Sequence, residues 1–84
     1  SSIDQGVAGM LSGFDVEDYE RIRAEAHKLK SSARTVGAHT LADLCFELEL
    51  AAKAKSAPAL QTHLGSLQSI CDQTKNAIAQ AIVT

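Results

Sequence analysis

One histidine in the sequence is surrounded, at helical spacing, by basic and small side chains. His27 has Arg23 four residues before it, Lys30 and Ser31 three and four residues after it, and Arg34 seven residues after it. Side chains three and four residues apart lie on the same face of a helix. We therefore expect these residues to share one exposed face, with the imidazole open to an approaching partner.

Such a face suits a nucleophile that reacts with phosphoryl groups. Nearby positive charges disfavour the imidazolium, so His27 is expected to stay neutral and to keep one nitrogen lone pair free. The same cations attract oxyanions such as a phosphoryl group, and Lys30 lies one turn away. A solvated basic face without any chemistry is the alternative, because exposed cations are common on helices.

The periodicity of the apolar residues predicts four helices and no strand. The first is short and ends at Gly13, the second spans about 16–35, the third about 38–54, and the fourth 59 to about 82. Their apolar stripes contain, in chain order, Ile3, Val7, Leu11 and Phe14; Tyr19, Ile22, Ala26, Leu29, Ala33 and Val36; Leu41, Leu44, Cys45, Leu48, Ala51 and Ala52; and Leu60, Leu64, Leu67, Cys71, Thr74, Ile78 and Ala81. We expect an all-α, up-down antiparallel four-helix bundle with a short or truncated first helix.

The boundaries of the second helix are marked by capping and turn residues. Asp15 is the expected N-cap, with Asp18 in the first turn, where negative charge suits the helix dipole. Phe14 and Tyr19 are placed for a hydrophobic staple across this start. Gly37 is the expected structural residue of the turn that follows.

That turn folds the third helix back along the second. Residues at equal distances from it lie side by side, so His27 is expected to face the region 45–49. The carboxylate of Glu49, which flanks Leu48, could accept a hydrogen bond from one ring N–H and leave the other nitrogen outward. A plain surface carboxylate is the alternative for Glu49.

Composition narrows the class of protein. The chain has 84 residues, 45% of them hydrophobic and 4% aromatic, with a net charge of −2. We expect one domain, residues 1–84. No basic patch interleaves with aromatic residues, which argues against nucleic-acid binding. No apolar run approaches the ~18 residues of a membrane span, and no signal peptide is evident, so we expect no membrane contact by this segment.

The two cysteines do not indicate a metal or disulfide site. Cys45 and Cys71 lie on apolar stripes and match no CxxC spacing, so we expect buried, reduced thiols. A zinc site from His27, His39 and a cysteine is disfavoured, because Cys45 is expected to point inward and His39 lies on another helix. We expect no bound metal.

The run AHKLKSSARTVGAHTLADLCFELE, residues 26–49, resembles the signature of histidine-containing phosphotransfer (HPt) domains. That signature is a His followed by x-Leu-Lys, small residues, Gly-Ala, and then Leu, Cys and Leu-Glu at set spacings. The matching residues are His27, Leu29, Lys30, Ser31, Ser32, Gly37, Ala38, Leu41, Cys45, Leu48 and Glu49. The sequence departs from the family at Ser31, where Gly is common, and this bears on how closely a partner can approach.

The resemblance implies a phosphorelay intermediate, a stoichiometric phosphocarrier with no kinase activity of its own. In such domains the histidine accepts a phosphoryl group from a receiver-domain aspartate and passes it to the aspartate of another receiver. Carried over to this chain, His27 is the phosphoacceptor and Lys30 neutralises phosphoryl oxygens. Glu49 orients the ring.

The expected binding surface surrounds that histidine. It combines the basic Arg23 and Arg34 with Ser31 and Ser32, which keep the approach uncrowded. The implied partners are receiver domains of response regulators or of a hybrid sensor kinase. The domain itself needs no cofactor, and Mg²⁺ is expected on the receiver.

Two classes of function are compatible with these features of the sequence. The first is a monomeric, cytoplasmic phosphocarrier. It is either free-standing or the C-terminal domain of a hybrid kinase, which is membrane-anchored in some cases, and the start SSIDQG, without an initiator Met, favours the latter. The alternative is a non-catalytic helical adaptor that binds a partner through the His27 face.

Overall fold

The computed structural model describes the backbone of residues 2–83 and the side chains of residues 4–80. Over this part the chain forms four α-helices and no strand: α1 (Ser2–Asp15), α2 (Tyr19–Thr35), α3 (His39–Lys53) and α4 (Ala57–Val83). Each helix packs against the next, and α1 also contacts α4, which closes the bundle. The predicted all-α four-helix bundle is confirmed, and α1 has 14 residues against 27 in α4.

The three connections share one backbone geometry. Each passes through a residue with positive φ, namely Glu17 (57°), Gly37 (76°) and Lys55 (56°). In each, the next N–H bonds to a carbonyl five residues back: Asp18 to Gly13 at 2.8 Å, Ala38 to Ala33 at 2.8 Å, and Ser56 to Ala51 at 3.0 Å. These are Schellman motifs, which satisfy the last carbonyls of a helix. The turn predicted at Gly37 is therefore confirmed. It folds α3 back so that α3 packs against α2.

The start of α2 differs from the sequence prediction. α1 continues through Gly13 to Asp15, and α2 begins at Tyr19. Asp18 is its N-cap, and its side chain accepts a hydrogen bond from the Arg21 N–H at 3.2 Å. The predictions that Gly13 ends α1 and that Asp15 caps α2 are wrong, because the Schellman turn places Asp18 at the first free N–H groups.

Gly13 serves helix packing rather than helix ending. A Cβ at this position would lie 3.1 Å from the Ile22 side chain and 3.2 Å from the Asp18 carbonyl oxygen. At Gly9 it would lie 3.0 Å from the Glu25 side chain. The absence of side chains at these positions lets α1 approach α2 closely.

The core is made of the predicted stripes with a few changes. Its largest fully buried side chains are Met10, Ile22, Leu41, Leu48, Leu60, Leu67, Cys45 and Cys71. The predicted stripe members Leu11 and Val36 are exposed by 46% and 54%, and Met10 replaces Leu11 in the core. Ile3 and Ala81 lie outside the side chains that the structure describes. The bundle therefore buries one face of each helix, as the periodicity predicts.

A cavity in this core should be costly. We expect Leu48→Ala to lower the free energy of unfolding by about 2–5 kcal/mol, because Leu48 is fully buried in the centre of α3. Leu50→Ala is the matched control: the same change on the same helix, at a residue 47% exposed, should cost about 0.5 kcal/mol or less. Urea denaturation of both variants measures the difference. Equal costs would contradict the burial of Leu48.

Candidate functional site

The His27 imidazole lies on the outer face of α2, beside α3. Its side chain is 67% exposed, and Nδ1 lies 3.6 Å from Oε1 of Glu49. The turn at Gly37 brings the two residues together, since it folds α3 back along α2. The sequence-based expectation that His27 faces Glu49 is met. The carboxylate approaches one ring nitrogen and leaves Nε2 as the nitrogen available to a partner.

Lys30 is placed differently from the prediction. Its side chain is only 11% exposed, and Nζ lies 2.7 Å from Oε1 of Glu49. The same ammonium lies 5.5 Å from the centroid of the Phe46 ring, in a cation–π contact. The expectation that Lys30 stands on the open face with His27 is wrong, because its long aliphatic stem packs between α2 and α3.

One carboxylate oxygen therefore faces both basic groups. Oε1 of Glu49 is buried, and it has no partner with hydrogen-bond geometry among the described residues. The 2.7 Å contact with Lys30 is thus an ion pair with poor directionality, and the 3.6 Å separation from His27 is too long for a hydrogen bond. Oε1 can therefore still accept a hydrogen bond from an Nδ1–H of His27. A small movement of the imidazole would complete that bond.

The two arginines predicted to lie near His27, Arg23 and Arg34, are both at the surface, and Arg23 is paired with a carboxylate. Arg23 donates a hydrogen bond to Glu20 at 2.8 Å, and this bond, with the charge of Glu20, raises the pKa of the guanidinium. With Ala24, His27 and Glu49, Arg23 lines a shallow depression at the imidazole. The surface beside His27 is therefore open to a partner where it adjoins Arg23, and the guanidinium gives this surface a positive charge.

The remaining predicted binding residues lie along the exposed side of α2. Ser31, Ser32 and Arg34 are all exposed. The Ser31 carbonyl accepts a hydrogen bond from the Thr35 hydroxyl at 3.0 Å. Ser32 also lines the groove between α1 and α2. The structure thus keeps small side chains in the turn that follows His27, as the sequence predicts.

Phe46 is the site residue that sequence reasoning did not select. It lies outside the apolar stripe of α3, and its side chain is 46% exposed. The signal in the sequence that could have identified it is its type and position: it is a large apolar residue one position after Cys45, which belongs to the buried stripe. The periodicity counts only the inward stripe, so the contact of Phe46 with Lys30 could not be anticipated.

The cysteines are buried and free, as predicted. Burial raises the pKa of the Cys45 thiol to about 12, with a smaller contribution from Cys71. Burial likewise raises the pKa of Cys71. Both thiols are therefore protonated at neutral pH, which makes them poor nucleophiles and poor metal ligands. Within the residues described, no group of three or more His, Cys, Asp or Glu side chains is arranged to hold a metal ion.

Fold and site together define a helical-bundle protein that presents an imidazole to solvent in front of a buried carboxylate–ammonium pair. The sequence model of the Hpt domain matches residues 1–80. The chain therefore belongs to the Hpt family, the histidine-containing phosphotransfer domains, which are helical phosphocarriers. No curated protein and no solved structure matches the sequence significantly. None of the helices in residues 2–83 has the length and apolarity needed to cross a membrane.

Proposed function

We propose that this chain is a phosphorelay intermediate that carries a phosphoryl group on Nε2 of His27. The observation that carries the proposal is the position of the imidazole: two-thirds exposed, with Nδ1 toward Glu49. A receiver domain can then reach Nε2 without displacing any helix. Membership of the Hpt family supports the same role.

The transfer step needs few groups from this chain. The lone pair of Nε2 attacks the phosphorus of a receiver's aspartyl phosphate, and an N–P bond forms. The P–O bond to the aspartate breaks, and the carboxylate leaves with its electron pair. The proton on Nδ1 stays in place, so the ring gains positive charge. The reverse sequence, with a second receiver, returns the phosphoryl group to an aspartate.

Glu49 and Lys30 are proposed to stabilise this change of charge. As the ring becomes positive, the carboxylate of Glu49 stabilises it through the Nδ1 proton, with Oε1 only 3.6 Å away in the resting state. Attraction between Glu49 and the ring then weakens its hold on the Lys30 ammonium. We propose that Lys30 turns toward the phosphoryl oxygens, which it neutralises. Arg23, Ser31, Ser32 and Arg34 form the surface that the receiver approaches.

The partners in this proposal are receiver domains of response regulators or of a hybrid sensor kinase. Mg²⁺ belongs to the receiver, where it would neutralise the aspartyl phosphate. The chain acts as a stoichiometric carrier, without kinase activity. We propose that it works as a monomer in the cytoplasm, either free-standing or as part of a longer kinase.

A phosphotransfer profile tests the proposal. Each receiver of the source organism, labelled with radioactive acetyl phosphate, is mixed with the purified chain, and transfer of label is followed over seconds to minutes. We expect one or a few receivers to label the chain rapidly, with a label that is labile in acid and stable in base, as a phosphoramidate is. No labelling by any receiver, or an acid-stable label, would contradict the proposal.

A further inference from the structure

Phe46 and Glu49 lie three residues apart on α3, hence on one face of the helix, and both contact Lys30 of α2. The Lys30 ammonium lies over the Phe46 ring, 5.5 Å from its centroid, and 2.7 Å from Oε1 of Glu49. The Lys30 side chain is only 11% exposed, whereas Phe46 is 46% exposed. The ammonium is therefore held by a charged group and by an uncharged ring at the same time.

These two contacts of Lys30 respond differently when His27 reacts. Attack by the lone pair makes the imidazole positive, and Glu49, whose Oε1 lies 3.6 Å from Nδ1, is then attracted to the imidazole. The ion pair with Lys30 weakens at the moment when the ammonium is needed at the phosphoryl oxygens. The Phe46 ring attracts a cation through its quadrupole, which the reaction does not change. The cation–π contact therefore persists while the ion pair weakens.

A lysine released from its carboxylate tends to turn outward into water. Its ammonium is strongly hydrated and sits on a flexible stem, so that holding it in one place costs conformational entropy. An aromatic face offsets part of the lost hydration, because it attracts the cation without carrying a charge. The Phe46 ring therefore keeps the Lys30 ammonium partly desolvated and close to the imidazole throughout the transfer.

We infer that Phe46 is a positioning residue, which holds the Lys30 ammonium at the site while His27 takes up the phosphoryl group. This inference rests on the proposed function and adds to it the side chain through which Lys30 acts. The alternative is plain apolar packing, in which any apolar side chain of similar size would serve. A cation–π contact requires an aromatic face, so substitutions at position 46 distinguish the two roles.

A reaction without a receiver tests this role. Phosphoramidate transfers its phosphoryl group directly to histidine and releases ammonia, so changes in the binding of a protein partner do not affect the rate. We expect Phe46→Leu, which keeps the apolar bulk but has no aromatic face, to lower the rate constant of labelling about fivefold. Phe46→Tyr keeps the face and should stay within about twofold of the wild type. Leu50→Ala is the matched control, since Leu50 is 47% exposed on the same helix, and it should also stay within about twofold.

A double-mutant cycle shows whether Phe46 acts through Lys30. In a chain that carries Lys30→Met, the further change Phe46→Leu should leave the rate constant with phosphoramidate within about twofold, because no ammonium remains to be positioned. A packing role would instead lower the rate by the same factor in both backgrounds. Circular dichroism of each variant checks that the helical content is unchanged.

The possible results separate this inference from the proposed function. Labelling of Phe46→Leu at the wild-type rate would overturn the positioning role, as would equal slowing in Phe46→Tyr or in Leu50→Ala. A fivefold loss that recurs in the Lys30→Met chain would also overturn it, in favour of packing. In each of these cases the labelled wild-type chain still supports the proposed function. Failure of phosphoramidate to label the wild-type chain would contradict the reactivity of His27, and with it both proposals.

Discussion

Replacing His27 with Gln is expected to abolish phosphorylation of the chain by its receiver. The label should fall to background, because the amide of Gln cannot donate a lone pair to phosphorus as an imidazole nitrogen does. Helical content should be unchanged, since the side chain is 67% exposed, and the free energy of unfolding should change by about 0.5 kcal/mol or less. Transfer of radioactive label and circular dichroism measure the two effects on the same sample.

His39→Gln is the matched control for this experiment. His39 is also an exposed histidine, at the first residue of α3, but none of the carboxylate–ammonium pairs among residues 4–80 lies beside it in the way that the Lys30–Glu49 pair lies beside His27. The variant should take up label as the wild type does. Label that persists in His27→Gln, or that maps to Ser31 or Ser32, would show that the phosphoacceptor has been assigned to the wrong residue.

Replacing Lys30 with Met is expected to slow transfer about 100-fold, a loss typical of removing one group that stabilises charge in the transition state. Met keeps the length and the apolar character of the buried stem. The variant should also be less stable by about 3 kcal/mol, because the Glu49 carboxylate, 2.7 Å from Nζ and 19% exposed, loses its counter-ion. Rapid-quench transfer and urea denaturation measure the two losses.

A second variant separates the two losses. In Lys30→Met combined with Glu49→Gln, no buried charge remains unpaired, so most of the lost stability should return. Transfer should remain slow, because neither the ammonium nor the carboxylate has been restored. Lys28→Met is the matched control: this lysine is 76% exposed and should change the rate by no more than about threefold. Transfer at the wild-type rate in Lys30→Met would exclude Lys30 from the reaction.

Much of the fold follows from the spacing of apolar residues. The inward stripes of α3 and α4 are found as predicted through Leu41, Leu48, Leu60 and Leu67, since these apolar residues recur at helical spacing. The assignment fails in α1, where Met10 and Leu11 are adjacent and either one could continue the stripe. Which of two neighbouring apolar residues is buried depends on the angle at which α1 packs on α2, and local spacing does not contain that angle.

The helix ends show a second limit. The sequence predicts the turn at Gly37, because glycine commonly adopts positive φ. Glu17 and Lys55 adopt the same conformation with φ of 57° and 56°, and nothing in their residue type indicates it. The sequence therefore places the N-cap of α2 at Asp15, three residues before the observed N-cap Asp18. Both residues are exposed, and the backbone hydrogen bonds of the Schellman motifs hold them in a conformation that their own preferences disfavour.

The sequence predicts which residues form the site, but it does not predict how deeply each side chain is buried. The pairing of His27 with Glu49 follows from counting residues on either side of one turn. The burial of Lys30 does not, because a pattern of polar and apolar residues counts every lysine as outward-facing. A lysine has a stem of four methylene groups, and an anion within reach lets it extend inward. The ion pair with Glu49 and the ring of Phe46 supply that environment.

The groups that form the site all come from one helical hairpin, α2 and α3, joined by the turn at Gly37. Their contacts span short distances along the chain, and such local contacts form early and fast during folding. Changes in α1 or α4 should therefore shorten the lifetime of the folded state without altering the reactivity of the molecules that remain folded. Because the site uses only α2 and α3, changes in α1 and α4 offer a way to alter the stability of this domain while its chemistry is kept.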